Sequence, residues 1–233
     1  MTDEWRLRLP ALVAWSRYKL MYLVYWTPFI ALYQLSNRWP IFTPHQLPLT
    51  QLDRLVPFVP ELLPIYVGYI PLYWWTVARL ENDREVNRIF YAAHFQLLMS
   101  LPFFVLFPVS MPRDLFYQPE TYNWADAFWR WFDAQNNCFP SLHVSNCLLL
   151  LQFTWARRCR VLHAAACAAV IASTVLVKQH YVVDVAGGAA VYLVSRRFLH
   201  NLEVTGLTSD GWRAPAMRFW RPASDAAGRV EGS

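Results

Sequence analysis

The chain has 233 residues, of which 56% are hydrophobic and 17% aromatic, with 12 Trp and only 16% charged. That balance is far from an average soluble domain and points to a membrane protein. The net charge of +5 comes with arginines scattered over separate loops between aromatic-rich spans, which argues against nucleic-acid binding.

A helix that crosses the hydrocarbon needs roughly 20 mostly apolar residues, because every backbone group must be satisfied internally. In chain order the uncharged runs are Leu20 to Asn37, Leu62 to Ala78, Ile89 to Pro112, Ala134 to Ala156, Val161 to Val177 and Val182 to Leu199, the last with Asp184 near its start. The expected fold is therefore all-α, an integral membrane bundle of six transmembrane helices with both termini cytoplasmic. Residues 1–17 form a cytoplasmic N-terminal segment, 18–202 the transmembrane catalytic domain, and 203–233 a mobile cytoplasmic tail. The first apolar run has no small-residue cleavage site after it and reads as a retained anchor.

The basic residues agree with that topology. Of 21 Lys and Arg, only Arg38, Arg54, Arg113, Arg130 and Lys178 fall on the outer side, as expected when cytoplasmic loops are enriched in cations. Thr121 to Phe132 places Trp124, Phe128, Trp131 and Phe132 on one helical face and reads as interfacial; Leu49 to Glu61 is similar but broken by Pro57 and Pro60. The four cysteines, Cys138, Cys147, Cys159 and Cys167, have no metal-like pairing and imply no disulfide framework.

Two stretches at the outer ends of spans carry the chemistry. In "NNCFPSLHVSN", Pro140 and Ser141 suit the first turn of a helix, and His143 follows at once. A helix N-terminus is an anion site, to which Ser141 and His143 add side-chain donors; the plainer reading is an N-cap serine with an interfacial histidine. In "STVLVKQHYVVDVAGG", His180 and Asp184 are four apart, so on a helix the carboxylate fixes the imidazole tautomer. An ionisable group in a span is costly and marks function. Lys178, one of two lysines, and Arg113 complete a cationic cup, although each also reads as a helix-end cation reaching for headgroups. Gly187 and Gly188 allow close helix packing behind it. Two histidines beside a phosphate-sized cationic site suggest covalent phosphoryl transfer, one histidine as nucleophile and the other as proton donor. A non-catalytic membrane haem carrier or a proton-relaying transporter is the alternative of another class. His94 reads as a buried histidine bonded to a neighbouring helix.

At these residues the chain resembles the type 2 phosphatidic acid phosphatase superfamily of lipid phosphate phosphatases and phosphotransferases. The family's Pro-Ser-Gly-His is matched by Pro140-Ser141-Leu142-His143, with Leu142 where Gly is usual. Its Ser-Arg, five residues, His, three residues, Asp is matched by Ser173, His180 and Asp184, with Thr174 in place of Arg. Its Lys, six residues, Arg-Pro survives only at Arg113, since position 106 is Leu and Asp114 follows the arginine. The wording is closest to the branch that includes inositol phosphorylceramide synthases. The resemblance implies His180 as the nucleophile forming a phosphohistidine, Asp184 as its orienting carboxylate, and His143 as general acid and later base. It implies Arg113, Ser141 and Lys178 as phosphate holders with backbone N–H groups near Leu142, and Lys178 as the replacement for the missing family cations. It further implies a lipid phosphate substrate, membrane lipids as surroundings, no metal and no other cofactor. The expected reaction is hydrolysis of a lipid phosphomonoester or diphosphate at the outer membrane face, with lipid phosphotransfer to an alcohol as the alternative. Short loops and small size suggest a bacterial inner membrane with the site facing the periplasm.

Overall fold

The computed structural model describes residues 6–12, 19–80, 82–116, 133–154 and 159–206. The expected interfacial segment Thr121 to Phe132 and the tail beyond Gly206 lie outside the described residues.

The described chain is mostly helical. Strand β1 (Leu7–Pro10) leads to α1 (Lys19–Arg38), a two-residue strand β2 (His45–Gln46) and a short helix α2 (Gln51–Leu55). A 3₁₀ turn at Pro60–Leu62 runs into α3 (Leu63–Val67) and α4 (Tyr69–Ala78), followed by α5 (Asp83–Leu106), β3 (Val109–Ser110) and a 3₁₀ turn at Arg113–Leu115. Then come α6 (Leu142–Thr154), α7 (Arg160–Leu176), α8 (Val182–Asn201) and β4 (Leu202–Thr205). Helix α6 sits at the centre, against α4, α5, α7 and α8, while α1 packs on α5.

Each expected apolar run has helix within it, but the lengths differ. One helix among the described residues, α5, is long and apolar enough to cross a membrane by itself; α6 and α7 are apolar but shorter. The run from Leu62 to Ala78 is divided at Gly68, where a Cβ would lie 2.9 Å from the Ile65 carbonyl oxygen. The run from Ala134 begins as helix only at Leu142. The reason is visible in the preceding asparagines. Asn136 bonds both the side chain and the carbonyl of Asn37 at 2.7 Å, and Asn137 Nδ2 donates to the Tyr33 carbonyl and Ser36 Oγ at 3.1 and 2.9 Å. These side chains offer the backbone an alternative to helix and tie the loop to the end of α1.

The packed centre is apolar but is crossed by buried polar contacts. Leu97, Cys147, Leu149, Leu150 and Cys167 are buried, and Gln96 of α5 donates to the Ser145 carbonyl of α6 at 3.2 Å and to Ser195 Oγ of α8 at 2.8 Å. Such buried bonds register three helices against each other, because a polar group in an apolar interior is costly unless paired. His94 bonds its own helix, Nδ1 to the Phe90 carbonyl at 2.9 Å, and its ring packs against Phe90 and, on α1, Trp26 and Phe29. Its ring contacts with the neighbouring helix α1 are aromatic.

The segment from Glu203, where the sequence suggested a tail, continues in order as far as Thr205. Strand β4 pairs in parallel with β1, Leu7 opposite Leu202 and Pro10 opposite Thr205. Alternating burial explains it, since Leu202 and Val204 are covered while Glu203 meets Arg8 at 2.9 Å. The exposed ion pair adds little; burial of the two apolar side chains is the larger contribution.

Candidate active site

Helices α7 and α8 are joined by a tight turn that places His180. The backbone of Lys178 takes a left-handed conformation (φ 51°), and the Gln179 and His180 N–H groups both donate to the Thr174 carbonyl, at 3.1 and 3.0 Å. This ends α7 in the manner of an αL cap. Val182 then begins α8, with His180 just ahead of it and Asp184 in its first turn.

The imidazole of His180 is held on one side and open on the other. Its Nδ1 lies 2.8 Å from the Cys138 carbonyl oxygen and 3.3 Å from Asp184 Oδ2. Two acceptors at Nδ1 require the proton there, which leaves the lone pair on Nε2. That Nε2 is 3.3 Å from Ser141 Oγ. Asp184 Oδ2 also accepts the Tyr181 N–H at 2.9 Å, so one carboxylate both starts α8 and orients the histidine.

Ser141 sits at the start of α6. Its Oγ accepts from the Val144 N–H at 3.5 Å, and its own N–H donates to the Asp184 carbonyl at 3.1 Å. The plainer reading of Ser141 as an N-cap and the functional one are therefore compatible. Two residues on, the His143 ring stacks on Tyr66 with centroids 4.1 Å apart and 23° between planes, and meets His180 edge to face at 5.9 Å. Tyr69 flanks it at 5.0 Å. The two motif histidines, Asp184, Ser141 and Leu142 are thus brought together by the approach of α8 to the start of α6.

Glycine makes that approach possible. A Cβ on Gly188 would stand 2.4 Å from the Ser141 carbonyl oxygen and 2.9 Å from Val144 Cβ, while one on Gly187 would meet the Phe139 ring at 2.5 Å. The close packing expected of these residues lies directly behind the histidines.

The two outer cations are disposed differently. Arg113 is buried beside the site, with one amino group donating to Gln179 Oε1 and the other to the Asp133 carbonyl at 3.2 Å; its Nε–H has no hydrogen-bond partner among the described residues. The Asp133 carboxylate lies 4.0 Å away. Lys178 does not enter the cup. Its Nζ donates to the carbonyls of Asp53 and Val56, each at 2.7 Å, and lies 5.0 Å from the Phe116 ring centroid. Burial lowers the ammonium's pKa, opposed by the nearby Asp53 charge. The side chain of residue 178 thus runs toward α2, a direction that its nearness to His180 in sequence does not give.

That contact leads to a residue the sequence reading passed over. Asp53 accepts the Thr50 N–H and hydroxyl at 2.8 and 2.5 Å on Oδ2, and the Val182 N–H of α8 at 2.8 Å on Oδ1. Burial opposes ionisation, but these hydrogen bonds and the Lys178 charge outweigh it and lower the pKa. Thr50-x-x-Asp53 is a readable capping pattern; its second partner, 129 residues away, is not. Tyr66, Gln179 and the Cys138 carbonyl were likewise unanticipated parts of the site.

A cavity of about 200 Å³ opens onto His143 and Leu142 from between α1 and α4, walled mainly by Trp26, Phe29, Tyr73 and Trp74. Among the described residues no group of three or more His, Cys, Asp and Glu side chains is placed to hold a metal ion.

A histidine pair, His180 buried and His143 half-buried, with a carboxylate on one of them is an arrangement able to carry out phosphoryl transfer. The PAP2 superfamily matches residues 50–198, well over half of the chain, and the chain belongs to that superfamily. Its members are generally phosphatases or phosphotransferases acting on lipid phosphates and are typically membrane-associated, which makes this chain an enzyme of that general kind and weighs against a haem carrier or transporter. Comparison with curated proteins and with solved structures gives no match.

Proposed function

We propose that the protein is a lipid phosphate phosphatase working through a phosphohistidine. The observation that carries this reading is the tautomer imposed on His180, whose Nδ1 faces the Cys138 carbonyl and Asp184 and whose Nε2 is left as a nucleophile beside Ser141 and His143. Nε2 attacks phosphorus, the P–O bond to the lipid breaks, and His143 delivers a proton to the leaving oxygen. The same histidine then takes a proton from water, whose oxygen displaces His180 from phosphorus. Ser141, Arg113 and the first-turn N–H groups of α6 near Leu142 hold the phosphate oxygens, since those groups have no partner within their own helix. The scheme calls on no metal. Lys178 acts here by fixing α2 against the α7–α8 turn, in place of a phosphate-holding role.

The setting that goes with this reading is a bundle of six spans with cytoplasmic termini and the site at the outer face, in a bacterial inner membrane facing the periplasm. The arginine distribution supports it.

A second reading, transfer to an alcohol from a phosphodiester lipid, is favoured by the charge count. The family's other two cation positions are Leu106 and Thr174, and Lys178 is engaged elsewhere, so of the expected cations among the described residues Arg113 is the one left beside the site, with the Asp133 carboxylate 4.0 Å away. One cation suits a phosphodiester monoanion better than a phosphomonoester dianion.

The test is phosphate release from phosphatidic acid, a lysophosphatidate and a prenyl diphosphate by detergent-purified protein in EDTA, with His180→Ala alongside. Release that disappears in the variant, with acid-labile phosphate on wild-type protein, is the expected result. Labelled headgroup passing from a phosphodiester lipid to an added alcohol, without release to water, would establish the second reading. Full activity in His180→Ala would overturn both.

A further inference from the structure

The cavity between α1 and α4 meets the proposed site at His143, the residue assigned above to exchange a proton with the leaving or entering oxygen. Its walls are mainly aromatic and aliphatic, and among the polar residues that line it Asn146 and Asp133 bring acceptor oxygens. Asn146, on α6 one turn beyond Leu142, is buried, and its Nδ2 donates to the Leu142 carbonyl at 2.9 Å. That bond fixes the amide orientation, because a carbonyl accepts only from the NH₂ side. Asn146 Oδ1 is therefore the atom left over, and among the described residues it has no hydrogen-bond partner. Across the cavity stands Asp133, buried, whose Oδ1 takes Asn37 Nδ2 at 2.5 Å and Tyr33 Oη at 3.4 Å. The tyrosine's proton is thereby committed to the carboxylate.

An unpaired amide oxygen and a carboxylate disfavour a phosphate oxygen beside them and suit a donor. A buried acceptor left unpaired costs about 1–3 kcal/mol, which a ligand hydroxyl or amide N–H would recover. Resting on the proposed function, we propose that this cavity binds the alcohol that leaves or enters at phosphorus, and that Asn146 and Asp133 select amphiphilic alcohols carrying a second hydrogen-bond donor near the reacting oxygen. The hydrocarbon lies between α1 and α4. The reacting hydroxyl points at His143, and the second donor meets Asn146 Oδ1 and the Asp133 carboxylate. In the leaving direction the P–O bond breaks as the P–N bond to His180 forms, and His143 gives its proton to the alkoxide. In the entering direction the alcohol's proton goes to His143, its oxygen bonds to phosphorus, and the P–N electron pair returns to His180.

A matched pair of lipids isolates the second donor: 1-O-hexadecylglycerol 3-phosphate, with a free 2-hydroxyl, and 3-hexadecyloxypropyl phosphate, which lacks only that hydroxyl. The full chain in detergent is assayed for kcat/KM on both, and equilibrium dialysis gives Kd for the two dephosphorylated alcohols. Wild-type protein is expected to favour the hydroxylated member by about 10-fold in each measurement, the effect of one neutral hydrogen bond at a buried acceptor. In Asn146→Leu that preference falls to within about 3-fold, a residual that covers the Asp133 contact. A ratio near one in the wild type, or a full ratio kept by folded Asn146→Leu, overturns the proposal. Ile70→Trp, at a part-exposed cavity wall where added bulk does not threaten folding, is expected to weaken the hexadecyl alcohol relative to its octyl analogue. Equal weakening of both chain lengths also overturns it. The dialysis arm needs no turnover, so loss of the phosphohistidine reading and loss of the cavity assignment are distinguishable.

Discussion

Asp53 and Val182 are joined by a 2.8 Å hydrogen bond that crosses 129 positions of sequence, from the carboxylate of α2 to the first N–H of α8. The same carboxylate closes the capping box of α2 with Thr50. A five-residue helix without a substantial core of its own thus sets where the His180 helix begins.

Asp53→Ala removes two caps at once. Each is worth about 1 kcal/mol, so the variant should lose roughly 2 kcal/mol of stability in a detergent unfolding titration. Its kcat should also fall, because the α8 N-terminus carries both Asp184 and the approach to His180. The pH dependence follows from the depressed pKa of Asp53. A carboxyl group whose folded-state pKa lies below its unfolded value contributes fully above the unfolded value, about 3.9, and loses that contribution as pH falls through the folded value. The stability gap between wild type and Asp53→Asn should therefore be constant from pH 7 down to about pH 5 and close at lower pH. A gap that instead narrows between pH 8 and 6 would assign the effect to another group.

Lys178 and Arg113 should separate by kinetics. With its ammonium on two backbone carbonyls, Lys178→Met should lower the unfolding midpoint and leave KM within about 3-fold, a loss of donors rather than of substrate contact. Arg113→Met should raise KM or lower kcat by about 100-fold or more, as for loss of a charge placed at a transferring phosphate. Equal losses of kcat/KM in the two variants, at equal stability, would return Lys178 to the phosphate.

Much of this site was legible because its chemistry is local in sequence. His180 and Asp184 are one helical turn apart, and Ser141 and His143 belong to one helix start, so residue type and spacing were enough. The glycines at 187 and 188 were readable for the same reason. The place of the Lys178 ammonium was not legible, because sequence distance gives no side-chain direction, and it lies on the Asp53 carbonyl of α2. Asp53, Tyr66 and Gln179 were hidden because their site contacts come from other elements, 129, 77 and 66 residues away in the pairs with Val182, His143 and Arg113. Helix positions were legible from apolar runs, but helix starts were not. The asparagines at 136 and 137 end the helical pattern with hydrogen bonds to α1 that no periodicity reveals.

Gly188→Ala should cost activity more than stability. The added methyl meets a backbone carbonyl, which cannot rotate away, so α8 has to shift from Ser141 and carry His180 with it. Misplacement of about 1 Å can cost roughly 100-fold in rate, and a loss of that order in kcat is the expected result. Gly187→Ala meets the edge of the Phe139 ring, a side chain able to turn, and should lose less. Activity kept by Gly188→Ala would show that the α6–α8 contact is looser than its geometry.

The division of labour between the histidines is open to a leaving-group test. If His143 protonates the departing oxygen, His143→Gln should slow turnover of a lipid alkyl phosphate by about 10²–10⁴-fold, the usual contribution of a positioned acid. A p-nitrophenyl phosphate ester needs no such proton, so its first step should be nearly restored. The second step still lacks a base to activate water, so the variant should release one equivalent of nitrophenol in a burst and hold acid-labile phosphate on His180. His180→Ala should show neither burst nor label with either substrate, because the nucleophile is gone. A burst in His180→Ala would place the covalent step on another residue. Equal impairment of both substrates in His143→Gln would reassign that histidine from proton transfer to phosphate binding, where its stacking on Tyr66 would serve only to position it.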